Sequence, residues 1–189
     1  EIFTYLGADI SEIAGKEFGI IGLGEIGRGV AAVARAFGAN VSYFSTSGAN
    51  NNSEFKQKSL DELLRSSDII SIHAPLNEKT RNLLGINEIN LLKDDAIVLN
   101  LGRGGIVDEV AMVRAIDERN LRFGTDVLES EPMSKNNPFL KVKNRANLVI
   151  TPHVAWGSLE ARKRLISLIV KNIEEFIKDR KSQLNTALI

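Results

Sequence analysis

The chain contains no cysteine, which excludes disulfide bonds, thiolate metal sites and a thiol nucleophile. Neither charge is in excess, because 24 lysine and arginine residues balance 24 aspartate and glutamate residues. No overall field therefore favours nucleic acid or an anionic membrane, and the function must come from a local site. The apolar runs are shorter than the roughly 20 residues that cross a bilayer, and the N-terminus has no signal-peptide pattern. We expect a protein of the reducing cytoplasm without a bound metal.

What the chain does contain is an alternation of short apolar runs, rich in isoleucine and valine, with amphipathic stretches. This alternation is typical of a doubly wound parallel sheet with helices on both faces, so we predict a Rossmann-type α/β fold. Six strands are predicted, at 18–22, 41–44, 69–73, 96–99, 123–125 and 148–150. Helices are predicted at 26–37, 59–65, 85–91, 110–119 and 158–181, and the polar segment 47–53 is predicted to be a turn or loop.

A glycine-rich motif joins the first predicted strand to the first predicted helix, as Gly22-Leu23-Gly24-Glu25-Ile26-Gly27. In this context Gly22 permits a tight turn and Gly24 lets the backbone approach a pyrophosphate. Gly27 lets the helix lie close to the strand. Because the helix N-terminus also supplies amide donors and a positive dipole, the motif predicts dinucleotide binding.

The end of the second strand leaves the choice of dinucleotide open. An acidic residue in this place usually binds the ribose hydroxyls of NAD, whereas this chain has Ser45, Thr46 and Ser47. Without a carboxylate the 2′-phosphate of NADP is not repelled, but no arginine is adjacent to attract it. The sequence therefore predicts NAD or NADP without a preference.

Four further stretches, together with the glycine motif, resemble one family of enzymes. They are Ile72-His73-Ala74-Pro75-Leu76, the run from Asn100 to Glu109 (NLGRGGIVDE), the run from Asp126 to Pro132 (DVLESEP), and the run from Thr151 to Trp156 (TPHVAW). In this order they resemble the D-isomer-specific 2-hydroxyacid dehydrogenases, from about residue 15 to about residue 162. The resemblance implies an oxidoreductase that moves a hydride between NAD(P) and a small 2-hydroxy or 2-keto acid. The stretch 153–156 is most similar to the glycerate dehydrogenase, or hydroxypyruvate reductase, branch.

The resemblance implies a catalytic set of Arg103, Glu131 and His153. A histidine that titrates near neutral pH can deliver the proton that the keto oxygen needs, and a neighbouring carboxylate favours its charged form. A guanidinium matches the substrate carboxylate with two parallel hydrogen bonds. Asp126 and Glu129 compete for the carboxylate role, and the position of Glu131 before a proline favours Glu131.

The same resemblance implies cofactor contacts along the glycine loop and after later strands. These are Gly22, Gly24, Glu25, Ile26, Gly27, Ser45, Ala74, Pro75, Leu101, Gly102, Arg103, Asp126, His153 and Trp156. Ser45 would lie at the adenosine ribose and Asp126 at the nicotinamide carboxamide. His73 is interpreted as structural, and core packing is an alternative role for Trp156.

The family pattern also implies an organisation in two parts. Residues 1–157 are expected to form the NAD(P)-binding domain, and residues 158–189 a long helix and tail that return to a substrate-binding half. That half is expected to precede the chain and to be absent from it, since Glu1 stands shortly before the first strand. The 189 residues alone are then expected to bind cofactor without turnover, and the domain to form a homodimer. Two rival hypotheses are a dinucleotide sensor or corepressor-like protein that uses the same fold, and a structural oligomerisation domain that binds no cofactor.

Overall fold

The computed structural model describes residues 10–49 and 52–186. Its central element is a parallel sheet of seven strands in the order β3-β2-β1-β4-β5-β6-β7. The strands are β1 (Glu17–Ile21), β2 (Asn40–Phe44), β3 (Lys56–Gln57), β4 (Ile69–Ile72), β5 (Ile97–Asn100), β6 (Arg122–Thr125) and β7 (Leu148–Ile150). Since β2 and β4 lie on opposite sides of β1, the direction of strand addition reverses at β1. In open α/β sheets this reversal marks the crevice in which ligands bind.

Side chains cap the first amide groups of some of the helices. They are α1 (Glu25–Ala36), α2 (Leu60–Ser66), α3 (Ile86–Ile89), α4 (Glu109–Arg119) and α5 (Leu159–Thr186), with 3-10 helices at Pro138–Lys141 and Arg145–Asn147. Ser59 and Glu62 form a capping box at α2. The Asp108 carboxylate accepts hydrogen bonds from Val110 N and Ala111 N at the start of α4.

The predicted Rossmann-type fold is confirmed, and all six predicted strands are present with ends displaced by one residue at most. The five predicted helices are also present. The sequence analysis missed β3, which is the two-residue polar edge strand Lys56–Gln57, and both 3-10 helices. Segment 47–53 holds no helix or strand where it is described, and Asn50 and Asn51 lie outside the described residues.

Alternate residues of each strand point to opposite faces of the sheet. Helices pack on both of these faces. On β1, Ile20 packs in a cluster with Ala31 and Ala34 of α1. The next residue, Ile21, packs in the other cluster, which includes Leu63 of α2, Met112 of α4 and the centre of β4. α1 therefore packs on one face of the sheet, and α2, α3 and α4 pack on the other.

The chain divides into two compact units, Glu1–Thr151 and Pro152–Ile189. The first unit holds the sheet, α1 to α4 and both 3-10 helices. The second unit holds a turn after Pro152 and the helix α5. The apolar residues that predicted this helix are exposed, namely Leu165, Leu168, Ile169, Ile173, Phe176 and Ile177. In the described part of the chain, no helix is long and apolar enough to span a membrane.

Candidate active site

The register of the sheet brings the predicted site residues of the first unit to one edge. Ile21 is paired with Phe44 and with Ile72, and the pairing continues through Asn100 and Thr125 to Ile150. Each of these residues is the last of its strand, so the residues that follow leave the sheet side by side. They are Gly22, Ser45, His73, Leu101, Asp126 and Thr151. The carboxyl edge of the sheet is therefore the candidate active site.

The glycine loop has the geometry that each of its glycines requires. Gly22 has φ +91°, and a Cβ there would lie 3.0 Å from the carbonyl group of His73. A Cβ on Gly27 would lie only 2.2 Å from the carbonyl oxygen of Gly22, so a side chain at 27 would push α1 away from β1. At Gly24 a Cβ would meet nothing within 4 Å, which leaves the backbone open to a ligand at the helix N-terminus.

A cleft of about 540 Å³ opens beside this loop. It lies where the strand order reverses, between the loops that follow β1, β2 and β4. Its lining residues are Gly22, Gly24, Thr46, Ser47, His73, Pro75, Asn77, Glu78 and Lys79. Glycine backbone, hydroxyl groups and a lysine are suitable partners for phosphate and ribose, so the residues present fit a dinucleotide.

The hydroxyl groups that face the cleft differ from the one that the sequence analysis singled out. Ser45 is 6% exposed, and its buried Oγ has no hydrogen-bond partner among the described residues. Thr46 and Ser47, the next two residues, line the cleft. The charged residues that line it are Glu78 and Lys79, both after β4, so no carboxylate from the end of β2 enters the cleft.

His73, interpreted from sequence as structural, lines the same cleft. Its Nε2 lies 2.9 Å from Ser71 Oγ on the same strand. Burial disfavours the charged imidazolium and lowers the pKa of His73 below its ordinary value of 6.5. Burial thus favours the neutral ring, which suits a group that shapes the cleft next to Gly22.

Arg103 lies on a short loop after β5 that Asn100 holds in place. The buried Asn100 side chain donates from Nδ2 to the Arg103 carbonyl oxygen at 3.0 Å and accepts from Gly102 N at 3.2 Å. Gly102 packs closely on the β4 loop, because a Cβ there would lie 2.9 Å from the Ala74 carbonyl oxygen. The Arg103 side chain is exposed and donates from Nη1 to the Gly102 carbonyl oxygen at 2.8 Å. The loop thus presents a guanidinium at the carboxyl edge on a fixed backbone.

Glu131 lies on the loop after β6, which packs directly on the Arg103 loop. A Cβ on Gly104 would lie 1.8 Å from the carbonyl oxygen of Leu128, so only glycine permits this contact. Glu131 is exposed, and its Oε1 accepts a hydrogen bond from Leu128 N at 2.9 Å. The loops that carry Arg103 and Glu131 are therefore neighbours in the first unit.

Asp126, the competing carboxylate of that loop, is 3% exposed and accepts a hydrogen bond from Thr151 Oγ1 at 2.5 Å. Thr151 N in turn donates to the Thr125 carbonyl oxygen at 3.0 Å. These bonds join the end of β6 to the end of β7 and leave Asp126 little surface toward solvent. Its burial favours a role in fixing the edge over that of an open acid.

His153 and Trp156 belong to the second unit, and they lie in one turn. His153 has φ +54°, in the left-handed region that non-glycine residues rarely adopt. Its carbonyl oxygen accepts a hydrogen bond from Trp156 Nε1 at 3.0 Å, and Gly157 N donates to the Val154 carbonyl oxygen at 2.8 Å. Trp156 is 54% exposed, so it holds the backbone of the turn rather than filling a core.

The structure thus brings together most predicted site residues of the first unit. Gly22, Gly24 and Pro75 line the cleft. Glu25 and Ile26 occupy the exposed first turn of α1, and Ala74 is buried beside the Arg103 loop. Sequence reasoning assigned no role to Asn100, although an asparagine that ends a strand before a Gly-Arg-Gly loop is a signal that could have identified it. No group of three or more His, Asp or Glu residues able to hold a metal occurs among the described residues.

Comparison with known proteins agrees with this geometry. Residues 4–155 match the family model described as D-isomer specific 2-hydroxyacid dehydrogenase, NAD binding domain. A glyoxylate reductase of Aeropyrum pernix is 40% identical over 169 residues, covering 87% of this chain and 50% of the relative. A hydroxypyruvate reductase of Blautia hydrogenotrophica is 38% identical over 170 residues, covering 88% of this chain and 52% of the relative.

A solved structure of an acyclic imino acid reductase, in complex with NADPH and D-Arg, has a TM-score of 0.83 at 34% identity. The match covers 93% of this chain and 55% of that structure's chain. The chain spans about half the length of the curated relatives that it matches. The glycine loop, the cleft and the family match lead to one conclusion: the chain belongs to the D-isomer-specific 2-hydroxyacid dehydrogenases and carries their NAD-binding domain.

Proposed function

We propose that this chain is the cofactor-binding domain of an NAD(P)-dependent dehydrogenase that interconverts a small 2-keto acid and its D-2-hydroxy acid. The observation that carries the proposal is the open glycine loop beside a cleft at the strand-order reversal, on the edge that also presents Arg103 and Glu131. The names of the two relatives favour glyoxylate or hydroxypyruvate as the substrate.

The chain's own residues account for how the cofactor would be held. The amide groups at the start of α1 and the backbone of Gly22 and Gly24 would bind the pyrophosphate, because they combine open backbone with a helix N-terminus. Thr46 and Ser47 would face the adenosine end of the cleft. When bound, the reduced nicotinamide supplies the hydride that reaches the keto carbon.

Substrate binding and proton transfer are assigned to three side chains. Arg103 would bind the substrate carboxylate, since a guanidinium offers two parallel donors and stays charged. His153 would give its proton to the keto oxygen as the hydride arrives at carbon, which yields the hydroxyl group and a neutral imidazole. Glu131 is assigned the role of the carboxylate that completes this set. The reverse reaction uses the same groups in the opposite order.

The preference between NAD and NADP is a separate proposal. The absence of a carboxylate at the end of β2 and the presence of Lys79 in the cleft favour acceptance of the 2′-phosphate, whereas Glu78 opposes it. We therefore infer that the domain accepts both NADH and NADPH. The NADPH complex of the imino acid reductase shows that the related fold accommodates the phosphorylated cofactor.

Three further expectations concern the whole protein. We propose that residues 1–157 act as the cofactor domain and that residues 158–189 connect it to a substrate-binding half. A homodimer and a cytoplasmic location stay predictions that follow from the family resemblance and from the absence of cysteine.

The test is turnover by the complete gene product, whether or not it is longer than these 189 residues. We expect oxidation of NADH or NADPH with hydroxypyruvate or glyoxylate. His153→Gln should abolish turnover without loss of cofactor binding, and Glu118→Gln, at an exposed position of α4, is the matched control. Tight cofactor binding by the wild-type protein without turnover on a panel of 2-keto acids would contradict the proposal and support a dinucleotide sensor.

A further inference from the structure

A buried carboxylate at the start of α4 has no part in the proposed chemistry. Glu109 is 8% exposed, and its two oxygens accept two hydrogen bonds. Oε1 accepts from Glu129 N at 2.8 Å, and Oε2 accepts from Asn137 Nδ2 at 2.8 Å. A buried carboxylate is costly unless donors satisfy it, and its place in the first turn of a helix adds a favourable dipole. Glu109 therefore joins the start of α4 to two points of a loop that lies 20 and 28 residues later in the sequence.

Asn137 can meet Glu109 in only one orientation. Its Oδ1 already accepts a hydrogen bond from Phe139 N at 2.9 Å, at the start of the 3-10 helix Pro138–Lys141. Phe139 is itself fixed in the core, with its ring centroid 5.5 Å from that of Phe123. The Nδ2 group of the 4% exposed Asn137 must then point to Glu109, where only an acceptor fits.

The two donors that Glu109 binds lie on either side of Glu131. Glu129 stands before it and Asn137 after it, so one side chain fixes both ends of the loop segment. Glu109 also follows Arg103 closely in sequence, and Gly104 contacts the Leu128 carbonyl oxygen. The Arg103 loop and the Glu131 loop are thus both anchored at the start of α4.

We propose that Glu109 and Asn137 form a buried clamp that sets the Glu131 loop against the Arg103 loop, and that the rate of keto-acid reduction depends on it. Glu109 is a positioning residue, because its contacts are to the protein and it acts through Glu131. This inference rests on the proposed function for its catalytic part, whereas the clamp itself is tested without turnover.

The experiment is an exchange of donor and acceptor between the two side chains. In Glu109→Gln, the side chain keeps one acceptor oxygen for the two donors Glu129 N and Asn137 Nδ2, so its new NH2 group opposes one of them. In Asn137→Asp, two carboxylates oppose each other. In the double variant, the new amide at position 109 donates to the new carboxylate at position 137, whose other oxygen accepts from Phe139 N, and every donor is matched again. Glu118→Gln, at an exposed position of the same helix, is the control for the loss of a charge.

The first readout is backbone amide exchange of residues 128–137 in the 189-residue chain. We expect exchange to become about tenfold faster or more in each single variant, because a buried hydrogen-bonding group loses its partner. The double variant and the control should stay within about threefold of the wild type. Unchanged exchange in both single variants, or failure of a folded double variant to recover, would overturn the clamp.

The second readout is turnover by the complete gene product. A clamp that positions Glu131 predicts a lower kcat in both single variants, recovery in the double variant, and an unchanged KM for the cofactor, because the cleft residues lie elsewhere. Equal turnover in all variants would refute the catalytic part. A wild-type protein that does not turn over, with the expected exchange pattern, would refute the proposed function and the catalytic part while the clamp stands.

Discussion

Replacing Gly27 by alanine tests the close packing of α1 on β1 beside the cleft. The new Cβ would lie 2.2 Å from the Gly22 carbonyl oxygen and 3.3 Å from Ile20 Cγ2, so α1 must move by about an ångström to reach an ordinary contact. Overpacking of this kind costs about 1–3 kcal/mol, against which the better helix propensity of alanine returns up to about 1 kcal/mol. We expect a net loss of about 1–2 kcal/mol of unfolding free energy.

Gly29→Ala is the matched control, because it lies on the same helix and its Cβ would meet nothing within 4 Å. This variant should gain about 0.5–1 kcal/mol. Since about 1 kcal/mol shifts the Tm of a domain of this size by about 2–4 °C, the two variants should differ by several degrees in a thermal melt. NADH fluorescence titration should also show weaker binding for Gly27→Ala alone, because its helix amides have moved. Equal Tm and equal affinity in the two variants would refute the packing argument.

Three other predictions address the cleft and the Arg103 loop. Thr46→Asp should weaken NADPH binding about tenfold more than NADH binding, since a carboxylate then opposes the 2′-phosphate, and Thr46→Asn should show no such difference in the same calorimetric titration. Because the pKa of His73 is lowered in the folded state, the unfolded chain binds more protons below the ordinary value of 6.5. The unfolding free energy should therefore fall as the pH falls through and below that value, and His73→Gln should show a flatter profile in urea melts between about pH 8 and about pH 5. Asn100→Ala should cost about 1–3 kcal/mol in urea denaturation, because the Arg103 carbonyl oxygen and Gly102 N lose a buried partner, and an unchanged midpoint would contradict that role.

The strands of the sheet were predictable because a parallel sheet covered on both faces needs nearly continuous apolar runs, as in 18–21 and 69–72. The edge strand β3 was not, since Lys56 and Gln57 are exposed and polar and their pairing with β2 depends on the partner strand. Edge strands of this length carry no periodic signal.

The glycine loop could likewise be predicted with its geometry, because each glycine corresponds to a local steric requirement. The packing of the Arg103 loop on the Glu131 loop could not, because the contact between Gly104 and Leu128 joins segments that are distant in sequence. The register of the strand ends was also beyond the sequence, and it decides that Thr46 and Ser47 face the cleft while the Ser45 hydroxyl is buried. Long-range backbone contacts of this kind leave no local pattern in the residues that make them.

Titration of the 189-residue chain with NADH and with NADPH tests the central claim most directly. A ligand that binds only the folded state raises the melting temperature, so nicotinamide fluorescence and a thermal melt report on the same event. The account predicts saturable binding of both cofactors and a Tm that rises with their concentration. Absence of binding by either cofactor, in a sample shown to be folded, would contradict the assignment of the cleft as a dinucleotide site.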